Sequence, residues 1–114
     1  MITIEKLNSF GANAAEGLAR CFENESLYLR LVSTIPDDAV FDRLKQGLES
    51  NNLDAAFEAA HALKGVLGNL SLTPLYKIAV EITELLRNRT QMDYSELLAK
   101  LLEQKEELGK LCAE

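Results

Sequence analysis

Four long segments of the chain place their apolar residues three or four positions apart, and this helical spacing constrains the fold more than any other feature. The segment that ends at Leu70 shows it well, because Leu63, Leu67 and Leu70 fall on one stripe of a helix. No segment alternates apolar and polar residues as a half-buried strand would. The sequence therefore predicts an all-α protein.

Capping and stop signals divide the chain into seven predicted helices. The three short ones come first and lie over residues 3–8, over residues 14–21 and between Asn24 and Pro36. The four long ones cover residues 38–50, 53–70, 74–88 and 93–112. Long helices joined by short connections pack most simply as an antiparallel up-and-down four-helix bundle. We expect one domain over residues 1–114, in which the amino-terminal segments 1–35 cover a bundle core of residues 37–113.

Each long helix has a candidate cap, a side-chain oxygen that can accept a hydrogen bond from a free backbone N–H. The candidates are Asp37 or Asp38, Asn52, Thr73 and Asp93. Thr73 precedes Pro74, and proline is favoured at the first helical position. Asp93, with Glu96 three residues later, is similar to a capping box.

The net charge of −6 argues against two classes of partner. A nucleic-acid backbone requires a basic surface, and an anionic membrane surface would repel an acidic protein. No apolar run is long enough for a transmembrane helix, and the amino terminus lacks the pattern of a signal peptide. We therefore expect a cytoplasmic protein that binds neither nucleic acid nor membrane.

The chain lacks the residue sets of a metal site and of a phosphoryl-transfer enzyme. Cys21 and Cys112 stand far apart without a CxxC spacing, so they predict neither a zinc site nor a disulfide framework. There is one histidine, no glycine-rich phosphate loop and no acidic set arranged for magnesium. No metal site, and no kinase or phosphatase activity of the chain alone, is expected.

The single histidine, His61, lies in the second long predicted helix, roughly 130° round from the apolar stripe. Its imidazole should therefore reach solvent, where the neutral ring can act as a nucleophile. Gly65 and Gly68 fall on the same face, although a glycine inside a helix costs about 1 kcal/mol relative to alanine. Lys64 can place its ammonium beside an anion on the ring. This face is predicted to carry a negatively charged adduct against a docked surface.

The run His61-Ala62-Leu63-Lys64-Gly65, with Gly68-Asn69-Leu70 after it, resembles the phosphoacceptor motif of the histidine-containing phosphotransfer (HPt) domain family. The resemblance extends over most of the chain, through segments 17–20, 27–28, 41–58 and 75–86. The sequence departs from the family at Ser71, where many members have glycine, and at Ile82-Thr83, which replaces a frequent Leu-Glu pair. Neither departure touches the acceptor segment.

The resemblance implies a phosphorelay function on a four-helix bundle. His61 would take a phosphoryl group from the receiver domain of a response regulator, or from a hybrid histidine kinase, and hold it as a phosphoramidate. Lys64 would offset the phosphoryl charge and donate hydrogen bonds to its oxygens. Mg²⁺ and the phosphoacceptor aspartate would belong to the receiver domain, so no cofactor is expected in this chain.

Other residues on this face are predicted to meet the partner. Gly65 would leave room for it above the ring, and Gly68 would either do the same or permit close helix packing. Phe57 would supply an apolar contact, and Asn69 would cap the helix end or contact the partner. Glu58, one turn before the histidine, is either a solvated acid or an acceptor for the imidazole N–H.

Two functions are compatible with these residues. One is a phosphoryl carrier that uses His61, and the other is a helical docking module that inhibits a receiver domain or a histidine kinase without being phosphorylated. A pure docking protein needs no nucleophile, so the set of His61, Lys64 and Gly65 favours the carrier. A monomer is expected, and the donor kinase, the final regulator and the direction of transfer stay open.

Overall fold

The computed structural model describes residues 1–114 and contains helices but no strand, which confirms the all-α prediction. The elements are α1 (Ile4–Phe10), α2 (Ala14–Arg20), α3 (Glu25–Thr34), a 3-10 helix (Ile35–Asp37), α4 (Val40–Glu49), α5 (Leu53–Asn69), α6 (Thr73–Arg87) and α7 (Ser95–Ala113). Each predicted α-helix is present to within two residues at either end. None of these helices combines the length and the hydropathy of a membrane span.

Asparagine side chains cap three of the helices. Asn24 Oδ1 accepts a hydrogen bond from the backbone N–H of Leu27 at 3.0 Å, and Asn52 Oδ1 accepts one from Ala55 at 3.1 Å, the second as predicted. Asn13 caps α2 in the same way. Such a cap satisfies one of the unpaired N–H groups at a helix start and contributes about 1 kcal/mol.

The predicted caps of α6 and α4 differ from the observed ones. The cap position of α6 is Leu72, so Thr73 is already helical, and its hydroxyl lies 3.4 Å from the carbonyl of Ser71. The cause is a left-handed turn at Ser71 (φ 55°), which starts the helix one residue earlier than expected. At α4, Asp38 Oδ1 does accept the N–H of Val40 at 2.9 Å, but from one position before the cap.

The predicted capping box at α7 does not form. Asp93 Oδ1 accepts the N–H of Ser95, two residues on, at 2.9 Å, because the chain enters the helix at Tyr94. Hydrogen bonds from Ser95 lower the pKa of the Asp93 carboxyl. Glu96 pairs with Lys100 along the helix instead of reaching back.

The four long helices pack against one another in chain order, α4 on α5, α5 on α6 and α6 on α7, and the short connections reverse the direction at each step. Their apolar faces form the core, with fully buried side chains that include Phe41, Leu44, Leu63, Leu67, Leu75, Ile82, Leu86 and Leu101. The apolar stripe predicted for α5 is the face that is buried. Because α5 packs between α4 and α6, its orientation is fixed from two sides.

A glycine brings α4 unusually close to α5. A Cβ atom at Gly47 would stand 2.9 Å from the backbone nitrogen of Ala56 and 3.0 Å from its Cα. Real Cβ atoms essentially never come that close to backbone. The two helices are therefore in contact backbone to backbone at this point, and the spacing between them depends on the missing side chain.

The amino-terminal helices fasten the last turn of α5. The buried Tyr28 hydroxyl donates to the carbonyl of Leu70 at 2.8 Å, and Arg20 Nη1 donates to the carbonyl of Gly68 at 2.8 Å. The Tyr28 ring lies directly over Gly17, and burial raises the pKa of Tyr28 to about 12. Because the last carbonyls of a helix have no partner within it, these bonds stabilise the end of α5.

Candidate functional site

The structure places His61 on the exposed face of α5, near the middle of the helix. Ala60 and Leu63, on either side of it in sequence, are fully buried. The core therefore sets the rotation of the helix and directs the imidazole outward, as the spacing predicts. The hydrogen bonds of the structure leave both ring nitrogens free, so the ring is open to a reactant from outside.

Lys64 lies on the same face, three residues beyond His61, and is half-buried. Its ammonium takes part in none of the six ion pairs of the structure. A lysine can bury its carbon stem along a helix while its ammonium stays in water. No neighbouring carboxylate neutralises this charge, so it is available to an anion on the ring.

The two glycines of the face have different surroundings. A Cβ atom at Gly65 would meet nothing within 4 Å, so the surface there is open. A Cβ atom at Gly68 would stand 2.9 Å from Cε1 of Tyr76 on α6. Of the two interpretations of Gly68, the geometry favours close packing of α5 against α6, whereas Gly65 has no packing neighbour that explains it.

Phe57 lies one turn before His61, and the two rings are close. Their centroids are 5.7 Å apart, and their planes are inclined by 45°. The guanidinium carbons of Arg87 and Arg89 lie 5.3 Å and 4.9 Å from the centroid of the Phe57 ring, within the range of a cation–π contact. The aromatic residue predicted for docking is thus flanked by two cations.

Arg89 is also fixed by hydrogen bonds. Its Nε lies 2.7 Å from Oδ1 of Asp54 in the first turn of α5, and its Nη1 donates to the carbonyl of Leu86 at 2.6 Å. The residue has a left-handed backbone (φ 50°), which turns the chain back after α6. Arg89 therefore ties the end of α6 to the start of the helix that carries the histidine.

Glu58 and Asn69 are exposed and contact little. Glu58 makes no hydrogen bond to the imidazole and lines a shallow groove between α4 and α5, together with Arg43 and Ala62. Asn69 is the last residue of α5, and its side chain makes no hydrogen bond within the protein. The structure thus agrees with a solvated acid at Glu58, and other groups satisfy the end of α5.

Sequence reasoning missed Arg87 and Arg89. Both follow Leu86, the last buried apolar residue of α6. At such a position the sequence indicates only an ordinary solvated charge. The antiparallel pairing of α5 with α6 could have indicated these two residues. In that pairing the end of α6 lies beside the start of α5, where Phe57 lies. No group of three histidine, cysteine or acidic side chains comes together in the structure.

The chain matches the model of a known protein family. The family model of the Hpt domain matches residues 26–113, which include α5 and every predicted site residue. Members of this family act in histidine phosphotransfer within phosphorelays, as phosphoryl carriers that interact with receiver domains. No individual curated protein and no solved structure gives a significant match. Because the family model covers most of the chain, the protein belongs to the Hpt domain family.

Proposed function

We propose that this protein carries a phosphoryl group on His61 between receiver domains of a two-component phosphorelay. The observation that supports it most is the free, exposed imidazole on a helix held from both sides. Lys64 without an ion pair and the open surface at Gly65 add to it. We further propose that the protein acts as a monomer in the cytoplasm, since one chain encloses the core by itself.

The proposed step is a displacement at phosphorus. A ring nitrogen of His61 attacks the aspartyl phosphate of a receiver, the N–P bond forms as the P–O bond to the aspartate breaks, and the carboxylate leaves with the electron pair. The reverse step passes the group to the next receiver. Both proteins must balance the charge that develops on the phosphoryl oxygens. In this protein Lys64 would do so, and in the receiver the Mg²⁺ held by its acidic pocket would do so.

Labelling tests this proposal. A panel of receiver domains is charged with acetyl phosphate carrying a labelled phosphoryl group, and each is mixed with the protein. We expect label that is stable to alkali and labile to acid, as a phosphoramidate is, and mass spectrometry should assign it to His61. Binding to a receiver without any such label would contradict the carrier function and would indicate the unphosphorylated docking module.

Replacing Lys64 with glutamine should slow transfer without abolishing it. A charge-assisted hydrogen bond contributes about 1.5–3 kcal/mol, and the partner supplies the rest of the charge balance, so we expect roughly a tenfold loss of rate. Rapid-quench measurement of label on His61 gives this rate. Lys45→Gln, an exposed lysine on α4, is the matched control and should stay within about twofold of the unmodified protein. Equal rates for the two variants would exclude the role of Lys64.

Replacing Gly65 with alanine should stabilise the protein and impair transfer. Alanine favours a helix interior by up to about 1 kcal/mol over glycine, and its methyl group meets nothing at this position. The same methyl group stands in the space that a docked receiver needs, so transfer should fall by roughly tenfold or more. Urea unfolding measures the stability, and the labelling assay measures transfer.

Gly68→Ala is the matched control for that stability change. Its methyl group would crowd Tyr76, so it should gain less stability than Gly65→Ala or lose some. A Gly65→Ala protein that is more stable and transfers at the unmodified rate would contradict the idea that Gly65 is kept for the partner.

A further inference from the structure

Cationic groups gather at one end of the His61 face of an otherwise acidic protein. The net charge is −6, yet Arg87 and Arg89 both lie on the Phe57 ring, which itself contacts the imidazole. Each guanidinium group therefore contacts the same phenyl ring that the His61 imidazole contacts. At ordinary ionic strength, charges act over about 10 Å, so these cations belong to the same docking surface as the histidine.

The two arginines are held to different degrees. Arg89 bonds to Asp54 through Nε and to the carbonyl of Leu86 through Nη1, so two short hydrogen bonds hold it within the protein. Arg87 has one exposed contact of 3.4 Å, to Glu84 one turn back, and 47% of its side chain is accessible to solvent. An exposed pair of this kind contributes little, so a carboxylate on a partner can replace it.

We propose that Arg87 is a docking anchor for a carboxylate on the receiver domain, and that Arg89 positions Phe57 beside it. The inference rests on the proposed function, since the receiver is the partner assumed there. A guanidinium that lies over one face of an aromatic ring can still offer its N–H groups to a carboxylate, in the planar fork that suits bidentate pairing. An acidic receiver would thus meet an exposed guanidinium beside the histidine.

Single-turnover transfer from a charged receiver, measured by rapid quench over a range of concentrations of this protein, tests this anchor. The receiver is the one that labels the unmodified protein fastest, and the variants are Arg87→Gln, Arg87→Glu and, as a matched control, Arg30→Gln. Arg30 is an exposed arginine on α3 without an ion pair. Removing a charge at the rim of an interface changes the association rate and its salt dependence. At low salt we expect the second-order rate constant of transfer to fall about fivefold for Arg87→Gln and further for Arg87→Glu, with the rate at saturating protein unchanged.

The salt dependence separates docking from a structural role. In about 0.5 M salt the loss for Arg87→Gln should shrink to less than twofold, because screening removes the electrostatic contribution in both proteins. An unchanged second-order rate constant at low salt, or the same loss for Arg30→Gln, would overturn the assignment of Arg87. A loss that persists at high salt, with a lowered melting temperature, would also overturn it and would indicate a packing role. If no receiver labels even the unmodified protein, the proposed function itself fails, and this outcome is distinct from the others.

Discussion

A protein in which His61 is replaced by glutamine is expected to accept no phosphoryl label from any receiver domain. Glutamine is polar and similar in length, but its amide nitrogen carries no lone pair available for attack on phosphorus. The chain contains no second histidine that could replace it. The expected change is therefore a complete loss, measured as acid-labile label per mole of protein.

The loss should occur without unfolding or loss of docking. His61 is exposed and makes no hydrogen bond, so its replacement should change stability by less than about 0.5 kcal/mol. The variant should also compete with the unmodified protein for a charged receiver, because the docking surface is intact. Acid-labile label on His61→Gln would place the acceptor elsewhere.

Replacing Gly47 with valine should have the largest effect on stability. The new Cβ would lie against the backbone of Ala56, and backbone within a helix cannot swing aside as a side chain can. Helices α4 and α5 must then separate and lose contacts along their whole interface. We expect the free energy of unfolding to fall by about 3 kcal/mol, the upper part of the range for overpacking. Urea unfolding followed by circular dichroism measures it.

Gly109 in α7 provides the control for this prediction. A Cβ there would meet Pro36 at 3.6 Å, an ordinary van der Waals distance. Gly109→Ala should therefore be neutral or stabilising by up to about 1 kcal/mol, as for a glycine in an open helix position. If Gly47→Val unfolds at the same urea concentration as the unmodified protein, the close approach of the two helices is not needed for stability.

The helices could be predicted from sequence because their causes are local. Apolar spacing reports which face of a helix meets the core, and Asn24 and Asn52 stand directly before the turns that they cap. The errors at Thr73 and Asp93 have one cause. A cap works only at the residue where the chain enters the helix, and the left-handed turn at Ser71 and the backbone at Tyr94 set that point. Backbone turns of this kind have no signal in the spacing of apolar residues.

Some features of the site could likewise be predicted from the sequence, and others depend on how the helices pack. The exposure of His61 and the shared face of Lys64 and Gly65 follow from the rotation of one helix, which the sequence pattern defines. The contacts of Arg87 with Phe57, and of Tyr76 with Gly68, depend on how far α6 slides along α5. That register is decided by side-chain packing between helices. A single sequence does not state it, so these neighbours of the site became visible only in the structure.

Helix α5 is tied down at both ends by residues distant in sequence. Arg89 holds its first turn, while Arg20 and Tyr28 hold its last carbonyls. These contacts oppose fraying, the usual mode by which helix termini open in native-state hydrogen exchange, and the buried Tyr28 bond opposes it most at the last turn. The backbone of α5, which carries the histidine, therefore loses its conformational entropy when the chain folds. An encounter with a partner then has to fix the relative orientation of the two proteins, but not the conformation of this helix.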